Sequence, residues 1–244
     1  VARDEDTALA LVAKYEELIQ SGSDTVDNRK KLGRSLLKLK LYDEAVEHLQ
    51  HAMSASGQAD PSLQKMIYTA VEGRFDTAIK AWEDFAAKGD SEAAQASTEI
   101  ATLEKQKSDF LLQKARERAQ TYSNDANVHM ELAMILWERQ EIDEALQEFQ
   151  KAQGSPRHRK KATLHKAKCF VLKSQYDIAI KEFESLLSEI EEMNQEKLEV
   201  IYELASTFKE MGRDDDSIEQ YKIIYEHDVS YRDVKEIMDD FYQK

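Results

Sequence analysis

A small or aliphatic residue, a bulky residue four places on and an apolar residue three places after that recur seven times along the 244-residue chain. The pattern is anchored at Leu11, Ala45, Ala78, Leu112, Ala145, Ala179 and Ser217, so one anchor follows another at an almost constant interval that lengthens only before the last. Its bulky members are Tyr15, Leu49, Trp82, Phe149, Phe183 and Tyr221, with Arg116 as the exception. Leu18, Ala52, Phe85, Ala119, Ala152, Leu186 and Ile224 fill the third position. Offsets of zero, four and seven lie on one face of a helix. A second apolar helix and a short turn precede most anchors, as Leu132, Leu136 and then Gln140 to Glu144 precede Ala145. A unit of this size cannot bury its apolar face alone, so the chain must stack one helix pair on the next.

Composition points the same way. Only 2 Pro and 7 Gly interrupt a sequence rich in good helix formers, and 41% apolar residues with 10 Tyr and 8 Phe are enough for a packed core. An all-α chain follows. Gly22, Gly57, Gly73, Gly89, Gly154 and Gly212 are expected between helices, where positive φ is useful. Gly33 falls inside a helix, where two helices of a unit cross closely. Pro61 and Pro156 precede or open first helices, where a missing donor does little harm.

The period and the residue types resemble the tetratricopeptide repeat. Leu32, Gly33, Leu36, Tyr42, Ala45, Leu49 and Ala52 match the signature of that family, and so do Leu132, Ala133, Leu136, Ile142, Ala145, Phe149 and Ala152. The resemblance implies a right-handed superhelical solenoid of helix-turn-helix hairpins with a C-terminal capping helix. It divides the chain into a half repeat at 4–22, repeats at 26–59, 60–92, 93–125, 126–159, 160–193 and 198–230, and a cap at 231–242. The 93–125 unit is degenerate: it lacks a turn cluster, and its helices are expected to run together between Ser91 and Tyr122. Ser188 to Lys197 adds residues, so a longer helix or loop is expected there. Val234, Ile237, Met238 and Phe241 give the cap one apolar face. Asp228, Val229 and Tyr231 to Val234 resemble the close of uncharacterised bacterial proteins of the same family. The start at Val1, and a first half repeat with only its second helix, suggest a piece of a longer array or a segment following an anchor or signal.

Little in the sequence carries catalytic chemistry. His48 and His51, with Glu44 a turn away, offer too few ligands for a metal, and no zinc or calcium motif accompanies them. No Gly-rich phosphate loop is present. Cys169 lies one turn from His165 on an apolar face, a pair that reads as packing rather than as a nucleophile and base. The chain is therefore expected to be a non-enzyme without cofactor or metal. The longest apolar run, Ala8 to Ala13, is far short of the roughly 20 residues that span a bilayer. A lone cysteine excludes an internal disulfide, and a cytoplasmic location is the expectation.

Charge is the more informative feature. The net charge is −14, yet Lys151 to Lys173 holds eight basic residues and no acidic one. Arg157, Arg159, Lys160, Lys161, Lys166, Lys168 and Lys173 read either as a docking patch for an acidic protein, including the acidic C-terminal region of a second copy, or as a solvated helix face. Arg159 to Lys161 open a helix, where the macrodipole disfavours each cation by about 0.3 kcal/mol or more. Nucleic acid is a poor fit to the overall charge. The family resemblance implies a protein-interaction scaffold, a peptide or partner helix lying in a groove lined by first helices. At the groove positions stand Met130, Met134 and Trp137, then Lys161, Leu164 and Lys168, then Tyr202, Ser206 and Lys209. The clamp that grips acidic chaperone tails in one subclass is missing: Lys30 fits, but Arg34, Gln64, Ala94 and Thr98 occupy the other positions.

Overall fold

The computed structural model describes residues 2–57 and 60–243, and every regular element among them is a helix. The helices are α1 (Ala2–Gln20), α2 (Val26–Lys38), α3 (Tyr42–Ser56), α4 (Pro61–Ala86), α5 (Asp90–Thr121), α6 (Ala126–Glu138), α7 (Ile142–Ala152), α8 (Arg159–Leu172), α9 (Tyr176–Glu189), α10 (Gln195–Glu210), α11 (Asp214–His227) and α12 (Val234–Tyr242). They gather into two compact units, residues 1–114 and 115–244, and α5 passes from the first into the second. No helix among the described residues is long and apolar enough to cross a membrane.

In the second unit each helix packs on the next in chain order, from α6 to α12. Buried anchors make the core: Ala145, Phe149 and Ala152 on α7, Ala179, Phe183 and Leu186 on α9, Tyr221 and Ile224 on α11. These are the residues of the recurring sequence pattern. The turns inside hairpins share one geometry. In the α6/α7 turn Glu141 N donates to Leu136 O at 2.9 Å and Gln140 N to Trp137 O at 3.0 Å, with Gln140 at φ 60°. Lys40, Ser174 and Gly212 occupy the same left-handed position in the other hairpins, so three non-glycine residues tolerate a conformation that favours glycine.

The first unit departs from the hairpin scheme. α2 and α3 form a hairpin, with Leu32, Leu36, Leu49 and Leu63 fully buried. A Cβ on Gly33 would lie 2.5 Å from Leu49 Cγ, so the mid-helix glycine is there for close approach. Gly73, expected in a turn, instead lies within the 26-residue helix α4. A Cβ there would meet the Tyr42 ring at 2.3 Å, and Thr77 Oγ1 donates to Gly73 O in the manner of an unbroken helix. Glycine permits a left-handed turn without requiring one, and here packing uses its missing side chain. α5 is likewise continuous over 32 residues, as the absence of a turn cluster led one to expect. α4 and α5 are joined through Phe75 and Phe110, whose ring centroids are 6.5 Å apart, and through Lys107, which pairs with Asp76 at 2.7 Å.

Arg116, where the pattern wants a bulky apolar residue, reaches carboxylates instead. Its Nη2 lies 3.0 Å from Glu141 Oε2 and 2.8 Å from Glu144 Oε2. The residues added before α10 form a loop closed by the N-cap of Asn194 and by Lys197 Nζ donating to Ile190 O at 2.7 Å. In the cap, Val234 and Met238 are buried, but Phe241 is 39% exposed.

Candidate interaction surface

The helices α6, α8 and α10 carry the nine residues that the family resemblance assigns to a groove. Burial divides the nine residues into three classes. Met130 and Leu164 are core residues, 6% and 5% exposed, because the apolar face of a short helix must cover the hairpin behind it. Met134, Trp137, Lys168, Tyr202 and Ser206 are half-buried, while Lys161 and Lys209 are exposed.

Around α6 and α8, Trp137, Lys161 and Lys168 gather about His165. The Trp137 ring meets the His165 ring edge-to-face at 5.5 Å, and Phe149 stacks on the other side of the imidazole at 5.2 Å. Burial, then the charges of Lys168 and Lys161, push the His165 imidazole down to about 4. Its Nδ1 is buried without a hydrogen-bond partner. The ring is therefore a neutral packing element between two aromatics. The unfolded chain takes up a proton first as pH falls, so the stability owed to the neutral ring is complete above pH ~6.5 and is lost on the way down towards pH 4. Because the side chain is only half-buried, the effect discounted for solvent screening is about 1 kcal/mol between pH 7 and 5. Urea midpoints at these two pH values should lie closer together in His165→Phe than in the native chain.

Around α10 the surface is covered from within. Lys168 Nζ bridges to Glu199 Oε1 at 3.1 Å and Glu203 Oε1 at 3.0 Å. Arg232, from the loop before α12 and at φ 47°, lies 4.4 Å over the Tyr202 ring and 3.4 Å from Glu203 Oε1. Tyr202 OH donates to Asp233 Oδ1 at 2.7 Å, and burial followed by this carboxylate holds the phenol well above its ordinary range. Ser206 is bound to the buried Tyr221 hydroxyl at 2.9 Å. Tyr202 thus serves the cap, and Ser206 the α10/α11 hairpin. Arg232, Glu199 and Glu203 escape a position-by-position reading because each meets its partner from a different helix, across a boundary between structural repeats.

Most of the basic segment is also paired. Lys166 meets Glu182 at 2.8 Å, Lys160 approaches Glu196 at 3.8 Å, and Lys173 pairs with Asp143. Arg157, Arg159 and Lys161 keep no ion pair among the described residues. Cys169 is fully buried, and burial pushes its thiol up to about 12, so it stays protonated. Arg29 Nη1 lies 3.0 Å from His48 Nδ1, and no group of three or more potential metal ligands gathers among the described residues.

A family profile described as "Tetratricopeptide repeat" matches residues 111–160, from the last turns of α5 to the start of α8. No curated protein matches the chain. Among solved structures, YrrB, titled a TPR protein with an unusual peptide-binding site, is similar at a TM-score of 0.54 with 10% identity, over 92% of this chain and 97% of that one. The C-terminal part of a TPR repeat-containing protein from Cytophaga hutchinsonii gives 0.55 with 14% identity, over 96% and 95%. MamA AMB-1 gives 0.52 with 16% identity, over 85% and 93%. The chain has the all-α tetratricopeptide-repeat fold, with a tetratricopeptide repeat at residues 111–160.

Proposed function

We propose that the chain is a non-catalytic protein-interaction scaffold whose second unit docks an acidic, apolar peptide segment on α6 and α8. The tetratricopeptide-repeat fold supports a protein-binding role in general terms, and the similar YrrB is described as having a peptide-binding site. The observation that carries the finer reading is that Trp137 of α6 meets His165 of α8, with half-buried Met134 about one turn from Trp137, and Lys161, an exposed ammonium without a carboxylate partner among the described residues, one turn from His165. Methionine adapts to varied partners, tryptophan supplies area at low entropic expense, and an unpaired lysine selects an acidic neighbour. Tyr202 and Ser206 are left out of this surface, since Tyr202 is bonded to Asp233 of the cap and Ser206 to Tyr221 of α11.

The alternative of a polyanion track along 151–173 has less support. Nucleic acid needs a continuous run of free cations, and the structure commits Lys160, Lys166, Lys168 and Lys173 to carboxylates.

Selection from a random peptide library on the native chain should enrich acidic sequences with an aromatic or aliphatic anchor. Lys161→Glu should weaken the selected peptides about tenfold, roughly 1.4 kcal/mol, without lowering the melting point, because the side chain is exposed. Enrichment of basic sequences, or unchanged affinity in Lys161→Glu, defeats the proposal.

A further inference from the structure

A second surface in the same unit has the opposite charge. Between the start of α11 and the end of α12 lies a crevice of about 360 Å³, with Ile218, Ile237 and Phe241 among its apolar lining. Phe241 is 39% and the neighbouring Tyr242 69% exposed. Asp214, Asp215 and Asp240 edge the crevice, none with an ion pair among the described residues, and Lys209 stands at one end.

Helix stability accounts for part of this arrangement only. Asp214 and Asp215 open α11, where the macrodipole welcomes a carboxylate. Asp240 is in the last turn of α12, where the dipole disfavours one, and no basic residue shares that turn. Asp240 is exposed beside Phe241 at the mouth of the crevice, where Lys222 Nζ lies 5.1 Å over the Phe241 ring. A long apolar side chain flanked by cations satisfies both the walls and the rim.

We propose that this crevice docks a basic, apolar segment of a partner protein: a leucine- or phenylalanine-type side chain inserted over Ile218 and Ile237, with flanking lysine or arginine on Asp214, Asp215 and Asp240. A second copy of the chain is the poorer occupant. Its unpaired cations, Arg157, Arg159 and Lys161, are accompanied by no exposed large apolar side chain in residues 155–163, so they meet the rim but leave the crevice unfilled. Together with the α6/α8 surface, this crevice gives one unit two docking sites of opposite preference, which suits an adaptor.

The test uses a fluorescein-labelled peptide of sequence Gly-Arg-Leu-Lys-Arg-Leu-Gly, followed by fluorescence anisotropy on the full chain. Two controls carry the same charge with serine in place of leucine, and the same leucines with glutamate in place of each cation. The basic apolar peptide should bind at least tenfold tighter than either control. The triple change D214N, D215N and D240N, and separately Phe241→Ser, should each weaken it about tenfold, while Lys161→Glu should not weaken it. The two sets of changes guard against loss of the α11 N-terminus in the triple variant, and circular dichroism confirms that Phe241→Ser is folded. Equal binding of the serine control would reduce the effect to bulk attraction by a chain of net charge −14 and overturn the proposal. Unchanged affinity in folded Phe241→Ser overturns it equally. Self-association in sedimentation that the triple change abolishes would assign the crevice to a second copy and reject the partner proposed.

Discussion

Replacing Glu148 with alanine is expected to destabilise the second unit by about 3 kcal/mol, the range for breaking a buried ion pair at one member. Glu148 lies across the α6/α7 hairpin from His129, and both are buried, at 9% and 4% exposure. Nε2 of His129 is 2.8 Å from Ser123 O, an acceptor only, so this nitrogen carries a proton and donates it. Nδ1 lies 2.5 Å from Glu148 Oε2, and Lys151 Nζ reaches the other carboxylate oxygen at 2.6 Å. Removing the carboxylate leaves a buried imidazole nitrogen without a partner. Glu148→Gln retains a hydrogen-bonding group and should lose much less. A urea titration followed by circular dichroism decides it: the alanine midpoint should fall at an unchanged slope. Equal midpoints for the two variants would show that the pair does not act as a unit.

Met130→Ala is expected to lower the same unit's stability by about 2–4 kcal/mol, as truncation of a close-packed methionine does. This result separates two descriptions of one residue. By its position in the repeat Met130 belongs to the groove, and a groove residue would be truncated with little loss of stability and a large loss of binding. At 6% exposure it is instead part of the core. The melting temperature should drop several degrees, and peptide affinity of the remaining folded protein should change little. Met134→Ala, one turn on and half-buried, should show the reverse balance.

The contrast between these methionines shows how far periodicity reaches. The spacing of the anchors tells which face of α7, α9 and α11 is buried, since Ala145, Phe149, Ala179, Phe183 and Tyr221 are all in the core. It cannot tell how wide the buried stripe on a first helix is. That width depends on how closely the neighbouring helices approach, and no local pattern encodes an interhelical distance. Met130 and Met134 differ only in this respect.

Charge pairing has the same limit. A run of cations is visible in 151–173, but whether each is free depends on carboxylates brought near by stacking. Lys166 meets Glu182 across the α8/α9 hairpin, and Lys168 meets Glu199 and Glu203 on the next first helix. The carboxylates were in plain sight in the sequence. Their neighbours were not.

What the amino-acid sequence determined by itself is the helical content, the repeating unit, the core anchors of α7, α9 and α11 and the lack of a metal or phosphate motif, because each follows from local propensity or from a period along one face, whereas the anchors Leu11, Ala78 and Trp82 of the first unit are only half-buried. Tertiary structure alone decided that Gly73 sits inside an unbroken α4 under the Tyr42 ring, and that Arg232 and Asp233 cover Tyr202. It also decided that Met130 and Leu164 are buried while Met134 and Trp137 stay half-buried. These outcomes rest on contacts between helices far apart in the chain, where packing chooses among conformations and pairings that local chemistry leaves equally open.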